Sequence, residues 1–404
     1  MTSRRSWPRR VLSVVAGAAV LAALAAPSAA VASAGVPAAG TTGTTTGVAQ
    51  PRVARTTATA IHISSRLAFR ASLPYSNILT GAEATSPSDA WAIGATATGD
   101  SRAYAVHWNG SAWKITHFPD RAFVPDWVRA SSRHNVWFIG SRITSGISVR
   151  EALRWDGARW HVMAVPQEAS GVFRPVVLGP SDVWLSGATT WNRAHGWHTL
   201  LWHWNGRAWT SYVLPILADD SLGMSLAGSS DRNLWAAGIA ASSPARTATG
   251  RLVAYAWNGS AWHRKAMPRV FLAGPPELAV AASGEAWVVG RGTRRVHHKP
   301  IILYRIGGQW KRLPDRVLDV PSGVGTPAPD GLNGVWLGLD LYWSGSAVAQ
   351  INGQGTRNCD SLYLDTQGPF MDGIPRTHSI LLAAACQRTS HGRLQGSILI
   401  DKPR

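Results

Sequence analysis

Hydrophobic and polar residues alternate along several short stretches of this chain. Tyr104, Val106 and Trp108 fall on one side of an extended segment, and the same pattern returns at residues 200–204 and 253–257. A period of two residues predicts β-strands, because successive side chains of a strand point to opposite faces. The large residues of each stretch are therefore expected to pack against a neighbouring sheet.

Each alternating stretch leads into Asn-Gly, Asp-Gly or Gly-Gly, and an aromatic residue usually follows three positions later. These dipeptides tolerate the positive φ of a type I′ turn, so each copy predicts a tight β-hairpin. The full copies begin at His107, Arg154, His203 and Ala256, a shortened copy at Arg305 and a decayed copy at Gln350.

A second motif lies ahead of each hairpin. It consists of small or polar residues followed by an apolar residue and Trp. Its tryptophans are Trp91, Trp137, Trp184, Trp235, Trp287 and Trp336, and Leu381 takes the Trp place in a weaker seventh copy. The copies are 45 to 52 residues apart. This period is typical of propeller blades and exceeds that of the shorter solenoid repeats.

Each repeat divides into four short strands, a to d. Strand b carries the Trp motif, strand c runs into the hairpin, and strand d usually stops at a proline, which suits the exit of an outermost strand because proline lacks a ladder donor. About fifteen of the 21 tryptophans occupy three repeated positions, and we expect these to pack between blades. The prolines are Pro119, Pro166, Pro215, Pro268 and Pro314.

The two ends of the repeat region complement each other. The last repeat has strand b at 380–386 and strand c around 397–400 but no strand d, whereas residues 66–74 resemble a strand d without a blade. Pairing the two would close a ring and leave no exposed sheet edge. The prediction is an all-β, seven-bladed β-propeller of four-stranded antiparallel blades over residues 61–404, closed by an N-terminal outer strand.

The motif Asp182-Val183-Trp184 and the repeated Trp-Asn-Gly-x-x-Trp hairpins resemble secreted bacterial β-propellers of the kelch and galactose-oxidase central-domain type. The resemblance implies the fold and no single function, since propellers host enzymes, lectins and scaffolds. Kelch repeats usually end strand b with Gly-Gly, and here one Gly stands there. Nothing matches the copper-binding residues of galactose oxidase, so neither its activity nor any cofactor is expected.

Residues 1–34 have the pattern of a secretory signal. Four arginines precede the apolar run 11–26, and Ala32-Ser33-Ala34 offers a cleavage site. A membrane anchor is disfavoured because the run is short against the ~20 residues that span a bilayer; Sec and twin-arginine export both remain open. Residues 35–60, rich in Thr, Gly, Ala and Pro, predict a disordered linker. The mature chain is expected to be secreted and monomeric, with no stable membrane span.

The formal net charge of +18 favours anionic partners such as an acidic polysaccharide or an envelope polymer, although a general bias towards Arg explains it equally well. No nucleic-acid-binding module is visible, so nucleic acid is not an expected partner. The two cysteines, Cys359 and Cys386, are predicted to form a disulfide in an oxidising compartment. No metal site is predicted.

The sequence contains neither a G-x-S-x-G nor an H-E-x-x-H motif, and no catalytic residue is predicted. Asp89 and Asp182 stand two positions before a strand-b Trp and are expected to accept backbone hydrogen bonds in the a–b turn. The adjacent pair Asp219-Asp220 is expected in a solvated loop, with a calcium or acid–base site as the alternative.

Loops joining strands b and c share one face of a propeller with the d–a loops. Aromatic residues beside Arg and His are typical of binding surfaces, although they can instead cap their own loop. The candidates are Trp127 before blade 2, Trp191, Arg193, His195 and Trp197 in blade 3, and Arg294, Arg295 and His297 in blade 5.

Three functions follow from this sequence. The first is a secreted, non-enzymatic module that binds glycan, envelope polymer or another extracellular protein through this face. The second is a polysaccharide hydrolase or lyase whose carboxylates converge in the fold. The third is a structural scaffold, favoured if the loop tryptophans are buried.

Overall fold

The computed structural model describes residues 63–73, 75–96, 102–167, 172–188, 199–214, 221–241, 249–293 and 299–314, and shorter segments at 327–329, 332, 334–337, 341–344, 347–350, 361–363, 371–387 and 395–403. All of them lie in one compact unit, Ala58–Arg404. Their regular elements are all β-strands. Within these ranges there is no helix that could cross a membrane.

Within the described ranges the strands form seven antiparallel sheets, numbered here as the predicted blades. Sheet 1 comprises β2 (Asn77–Ser86), β3 (Asp89–Thr96), β4 (Ala103–Trp108) and β5 (Trp113–Thr116). Sheet 2 comprises β6 (Phe123–Ser132), β7 (Asn135–Thr144), β8 (Ile147–Trp155) and β9 (Trp160–Met163). Sheet 3 comprises β10 (Val172–Gly179), β11 (Asp182–Ala188), β12 (Thr199–Trp204) and β13 (Trp209–Val213).

The remaining sheets follow the same order, with small additions. Sheet 4 comprises β14 (Ser221–Ser230), β15 (Asn233–Ala241), β16 (Thr249–Trp257) and β17 (Trp262–Lys265), with β18 (Phe271–Ala273) beside β16. Sheet 5 comprises β19 (Glu277–Val280), β20 (Ala286–Arg291), β21 (Pro300–Ile306) and β22 (Gln309–Arg312), and sheet 6 comprises β23 (Pro327–Pro329), β24 (Gly334–Leu337), β25 (Leu341–Ser344) and β26 (Ala347–Gln350). Sheet 7 comprises β28 (Met371–Gly373), β29 (Ile380–Gln387), β30 (Gln395–Pro403) and β1 (Ile63–Arg70), with β27 (Ser361–Tyr363) also paired to β29.

The first strand of each sheet contacts the first strand of the next. These contacts run from β2 through β6, β10, β14, β19, β23 and β28, and β28 also contacts β2. In sheet 7 the outermost strand is β1, which pairs antiparallel with β30 and places Leu67 opposite Leu399 and Phe69 opposite Ile398. The predicted all-β class and four-stranded antiparallel repeat are therefore confirmed.

Tryptophan packing between sheets explains the repeat. At three junctions the buried strand-b Trp of one sheet lies 4.9–6.4 Å, centroid to centroid, from two tryptophans of the next sheet. The groups are Trp91 with Trp155 and Trp160, Trp137 with Trp204 and Trp209, and Trp184 with Trp257 and Trp262. The interpretation of these repeated positions as packing between blades is confirmed.

The hairpins are present, but the type I′ turn predicted for the full copies is wrong. In the first copy the Asn109 side-chain oxygen accepts hydrogen bonds from the amides of Ser111 and Ala112, and Gly110 alone has a positive φ, of 92°. The asparagine thus organises a four-residue loop, as Asn commonly does in turns. Two successive positive φ values, as type I′ requires, occur instead at Gly307 and Gly308.

The single glycine that closes strand b is required by close packing of strands. A Cβ atom on Gly94 would overlap the carbonyl oxygen of Ile78, and one on Gly140 would overlap that of Val124. In both sheets the overlap is with backbone of the first strand, which cannot move aside without breaking the ladder. In these two sheets the glycine lets strands a and b approach closely at the end of the Trp motif.

Candidate functional site

Most residues proposed from the sequence lie outside the described ranges. These are Trp191, Arg193, His195, Trp197, Arg294, Arg295, His297, Asp219, Asp220 and Cys359. The backbone of Cys386 lies in β29 opposite Gln395. The disulfide and both loop sites therefore stay predictions.

Trp127 is described, and its predicted place in a d–a loop is wrong. It lies within β6, where the pairing with β7 shifts register between Pro125 and Trp127. Its half-buried ring packs against the apolar cluster between sheets 2 and 3 and lies 5.4 Å from the guanidinium carbon of Arg129. Trp127 therefore supports the inner strand as well as bordering the face on which the loop candidates were placed.

Arg129 belongs to a polar joint between inner strands. Its Nη1 lies 2.9 Å from Glu83 Oε2, and both side chains are largely buried. Glu83 also accepts a 3.2 Å hydrogen bond from the amide of Ala130, and Asp372 accepts one of 2.8 Å from the amide of Ala84. Carboxylates of sheets 7 and 1 thus each bind the inner strand of the following sheet.

The two aspartates that precede a strand-b Trp bind side chains of strand c, and not the backbone donors of the a–b turn that we expected. His107 Nε2 lies 2.8 Å from Asp89 Oδ1, and the imidazole stacks on Trp91 with centroids 3.9 Å apart. Asp182 pairs in the same way with His203 at 2.9 Å. The reason is geometric, since Asp and Trp two positions apart share a face and His107 stands directly opposite Trp91.

A surface ion pair stands beside Trp127. Asp126 Oδ2 lies 2.8 Å from Arg150 Nη1, joining the first strand of sheet 2 to its third. Asp126 is half exposed, yet partial desolvation by the surrounding protein raises the pKa of its carboxyl group, while Arg150 acts in the opposite direction. Within the described ranges, no three His, Cys, Asp or Glu side chains cluster in a way that could hold a metal ion.

The b–c connection of sheet 2 is an extended hairpin, which sequence reasoning missed. We call residues 142–150 the sheet-2 hairpin; its tip is the two-residue turn Ser145-Gly146. Ile143, Ile147 and Val149 are 42–67% exposed there. The sequence does carry a signal for it, because β-branched residues flank Ser-Gly on both sides, but these residues are neither aromatic nor charged.

The sheet-2 hairpin is fixed at its base. The amide of Ile143 donates a 2.9 Å hydrogen bond to the carbonyl of Ala122, which precedes β6. The Arg142 guanidinium lies 3.9 Å from Asp120 and 3.7 Å from Glu151. The exposed apolar side chains are therefore displayed on an ordered element.

Comparisons with known proteins identify the fold. No family model and no curated protein matches the sequence. Among solved structures, the chain is similar to the β-propeller domain of the trilobed protease from Pyrococcus furiosus, with 12% identity and a TM-score of 0.51 over 81% of this chain and 97% of that one. The fold is a β-propeller. The kelch and galactose-oxidase subtype stays a prediction.

The chain is also similar to the acylaminoacyl peptidase from Pyrococcus horikoshii, with 11% identity and a TM-score of 0.53. That match covers 81% of this chain and 52% of the peptidase, so this propeller spans about half the length of that enzyme. Likeness at this level of identity concerns the fold alone.

Proposed function

We propose that this chain is a secreted, seven-bladed β-propeller, closed by β1, that serves as a non-enzymatic binding module for an extracellular protein, envelope polymer or glycan. The cyclic contacts of the inner strands and the pairing of β1 with β30 support the closed ring. The signal-like residues 1–34 support secretion. The paired Trp motifs support a kelch-like subtype.

The observation that carries a binding function is the sheet-2 hairpin. Three large apolar side chains stand in water on an ordered element, at the b–c end of the propeller that also borders Asp126 and Trp127. Exposed apolar patches rimmed by polar residues are typical of interaction sites. By the strand register, Ile147 and Val149 share one face of the hairpin with Arg142, and Ile143 lies on the other face with Arg150. Each apolar surface therefore has an arginine beside it, and guanidinium groups pair well with carboxylates and phosphates. A partner with apolar and acidic groups, such as an extracellular protein, suits this surface better than a neutral glycan.

Two inner-strand acids, Glu83 and Asp372, are held in structural contacts, which favours binding over hydrolysis at these positions. A glycosidase needs two carboxylates that converge across a cleft and are available to the substrate. Glu83 and Asp372 instead accept hydrogen bonds from backbone amides, and Glu83 also pairs with Arg129. These acids join neighbouring sheets, which is a structural role.

The test compares two sets of exposed apolar residues. Ile143, Ile147 and Val149 are all changed to Ser in one variant; the matched control changes Val162 and Val213, which are 64–69% exposed on the outer strands β9 and β13. Both variants should keep the wild-type melting temperature, because surface changes are usually within ~0.5 kcal/mol. Binding to a panel of purified extracellular proteins, envelope polymers and glycans is measured for each, with hydrolysis assayed in parallel.

We expect the hairpin variant to lose about tenfold or more in affinity, as hot-spot residues do, while the control binds like the wild type. A second variant, with Trp191, Trp197, Arg294 and Arg295 changed to Ala, tests the loops proposed from the sequence. If the wild-type chain and both site variants bind equally well, the b–c end is not the binding face. Turnover of any panel polymer would contradict the non-enzymatic role.

A further inference from the structure

An open pocket lies between sheets 7 and 1, at the opposite end of the sheets from the sheet-2 hairpin. We call it the junction pocket; its volume is about 110 Å³. Sheet 7 contributes Leu381 and Ile400, and sheet 1 contributes Trp108 and Trp113 on either side of its c–d hairpin. The a–b turn of sheet 1 borders it as well, through Ser86 and Pro87.

The pocket exists because the repeat changes at one position. At three other junctions a strand-b indole lies against two tryptophans of the next sheet, as described above. Here the receiving pair is retained, with Trp108 and Trp113 centroids 5.6 Å apart and ring planes inclined by 35°. The strand-b position, however, is Leu381, which has no ring. The space that remains corresponds to the position that an indole occupies at those three junctions.

The lining is suited to an aromatic ring. Ala68, Ala84 and Ala90 add small apolar walls, and Leu381 is fully buried at the base. The volume is comparable with the ~150 Å³ apolar cavity that admits benzene in an engineered protein. An aromatic ring there would meet the two indoles edge-to-face or tilted, which are the favoured arrangements.

The rim adds a positive charge. Arg66 lines the pocket from β1 and is exposed to solvent. A guanidinium group binds carboxylate oxygens through paired, charge-assisted hydrogen bonds. We propose that the junction pocket binds a small aromatic carboxylate, with the ring between Leu381 and the Trp108–Trp113 pair and the carboxylate at Arg66.

The experiment measures binding of 5-fluoroindole-3-propionate and of neutral 5-fluoroindole to the mature chain by fluorine NMR, with methyl glucoside as a competitor. Leu381→Trp restores the repeat and fills the pocket. Ala68→Leu, on the outer strand β1, narrows the pocket and replaces the first variant if that variant folds poorly. Val162→Trp adds an indole at an exposed position of the outer strand β9, away from the pocket, and serves as the control.

We expect the wild type and Val162→Trp to bind the acid with equal affinity. Each pocket variant should bind it about tenfold or more weakly, the range expected when an apolar pocket is filled or narrowed. Arg66→Gln should bind the neutral indole normally and lose most of its preference for the acid. The inference is overturned if the wild type does not bind the acid, if filling the pocket leaves binding unchanged, or if methyl glucoside displaces the probe.

Discussion

Removal of β1 should destabilise the whole propeller, although only one outer strand is lost. We compare chains that begin at residue 61 and at residue 75; both lack the predicted signal and linker, and only the second lacks β1. The strand pairs with β30 over Ile63–Arg70. The segment removed with it contributes Ala68, Phe69 and, just after the strand, Leu73 to the cluster between sheets 7 and 1. Without it, β30 becomes an unpaired edge.

The magnitude follows from burial. Half-burial of Phe69 and Leu73 stabilises the fold by about 2–3 kcal/mol. Uncovering Ile398 and Leu399, which are fully buried on β30, costs about the same again. A total of roughly 4–6 kcal/mol is a large part of the 5–15 kcal/mol that keeps a typical domain folded.

The assay is thermal and urea unfolding of the two chains, followed by addition of a synthetic peptide of residues 61–74 to the shorter one. We expect the shorter chain to melt roughly 6–8 °C below the longer one, since the unfolding entropy of a chain of this length is about 0.7 kcal/mol/K. The peptide should restore much of the difference by adding a strand to the open edge. Equal melting temperatures for the two chains would refute the reasoning that β1 closes the ring.

Three further predictions concern individual side chains. Arg129→Met should cost about 3–5 kcal/mol because it removes the guanidinium described at the buried Glu83 carboxylate, and adding Glu83→Gln should recover part of this in urea unfolding. An unchanged single variant would show that the ion pair contributes nothing. Burial raises the pKa of Tyr104 above its ordinary value of 10.0, so its contribution to stability is complete below about pH 10 and is lost as the pH rises further. Tyr104→Phe should therefore flatten the fall in unfolding free energy between pH 9 and 11, and a wild-type slope in that variant would count against it. A bridge between Cys359 and Cys386 would close a loop of 28 residues (386 − 359 + 1) and stabilise the chain by about 3–4 kcal/mol; thiols that alkylate in the secreted, unreduced protein would disprove it.

The strands could be predicted because one packing position imposes the same side chain on every repeat. Trp91, Trp137 and Trp184 each fill the space between two sheets, and a smaller residue there would leave a cavity. The Trp spacing therefore records the geometry of the ring. The turn type could not be predicted from the sequence in the same way, because Asn-Gly suits both a two-residue turn and the four-residue loop found at Asn109.

Trp127 shows why the candidate site was harder to place. The ladder between β6 and β7 shifts register between Pro125 and Trp127. The bulge leaves Asp126 without a regular partner, and proline within sheets is typically found beside such bulges. Sequence alone does not reveal the partner strand, so a bulged inner strand and a loop look the same.

Departures from the repeat are more informative than its regular copies. In sheet 5, Arg305 stands opposite Trp310, where other sheets have a second Trp, and its guanidinium carbon lies 5.2 Å from the ring centroid of Trp235. That replacement fills the space which the missing indole would leave. Leu381 is the contrasting case. The Trp108–Trp113 pair is kept and Phe69 of β1 lies 6.1 Å from Trp113, yet a pocket remains beside Leu381. A substitution that is only partly repacked leaves a cavity that costs stability, and a ligand that fills it would recover that stability. A ligand at the proposed site beside the weakest copy of the motif would therefore stabilise the fold directly.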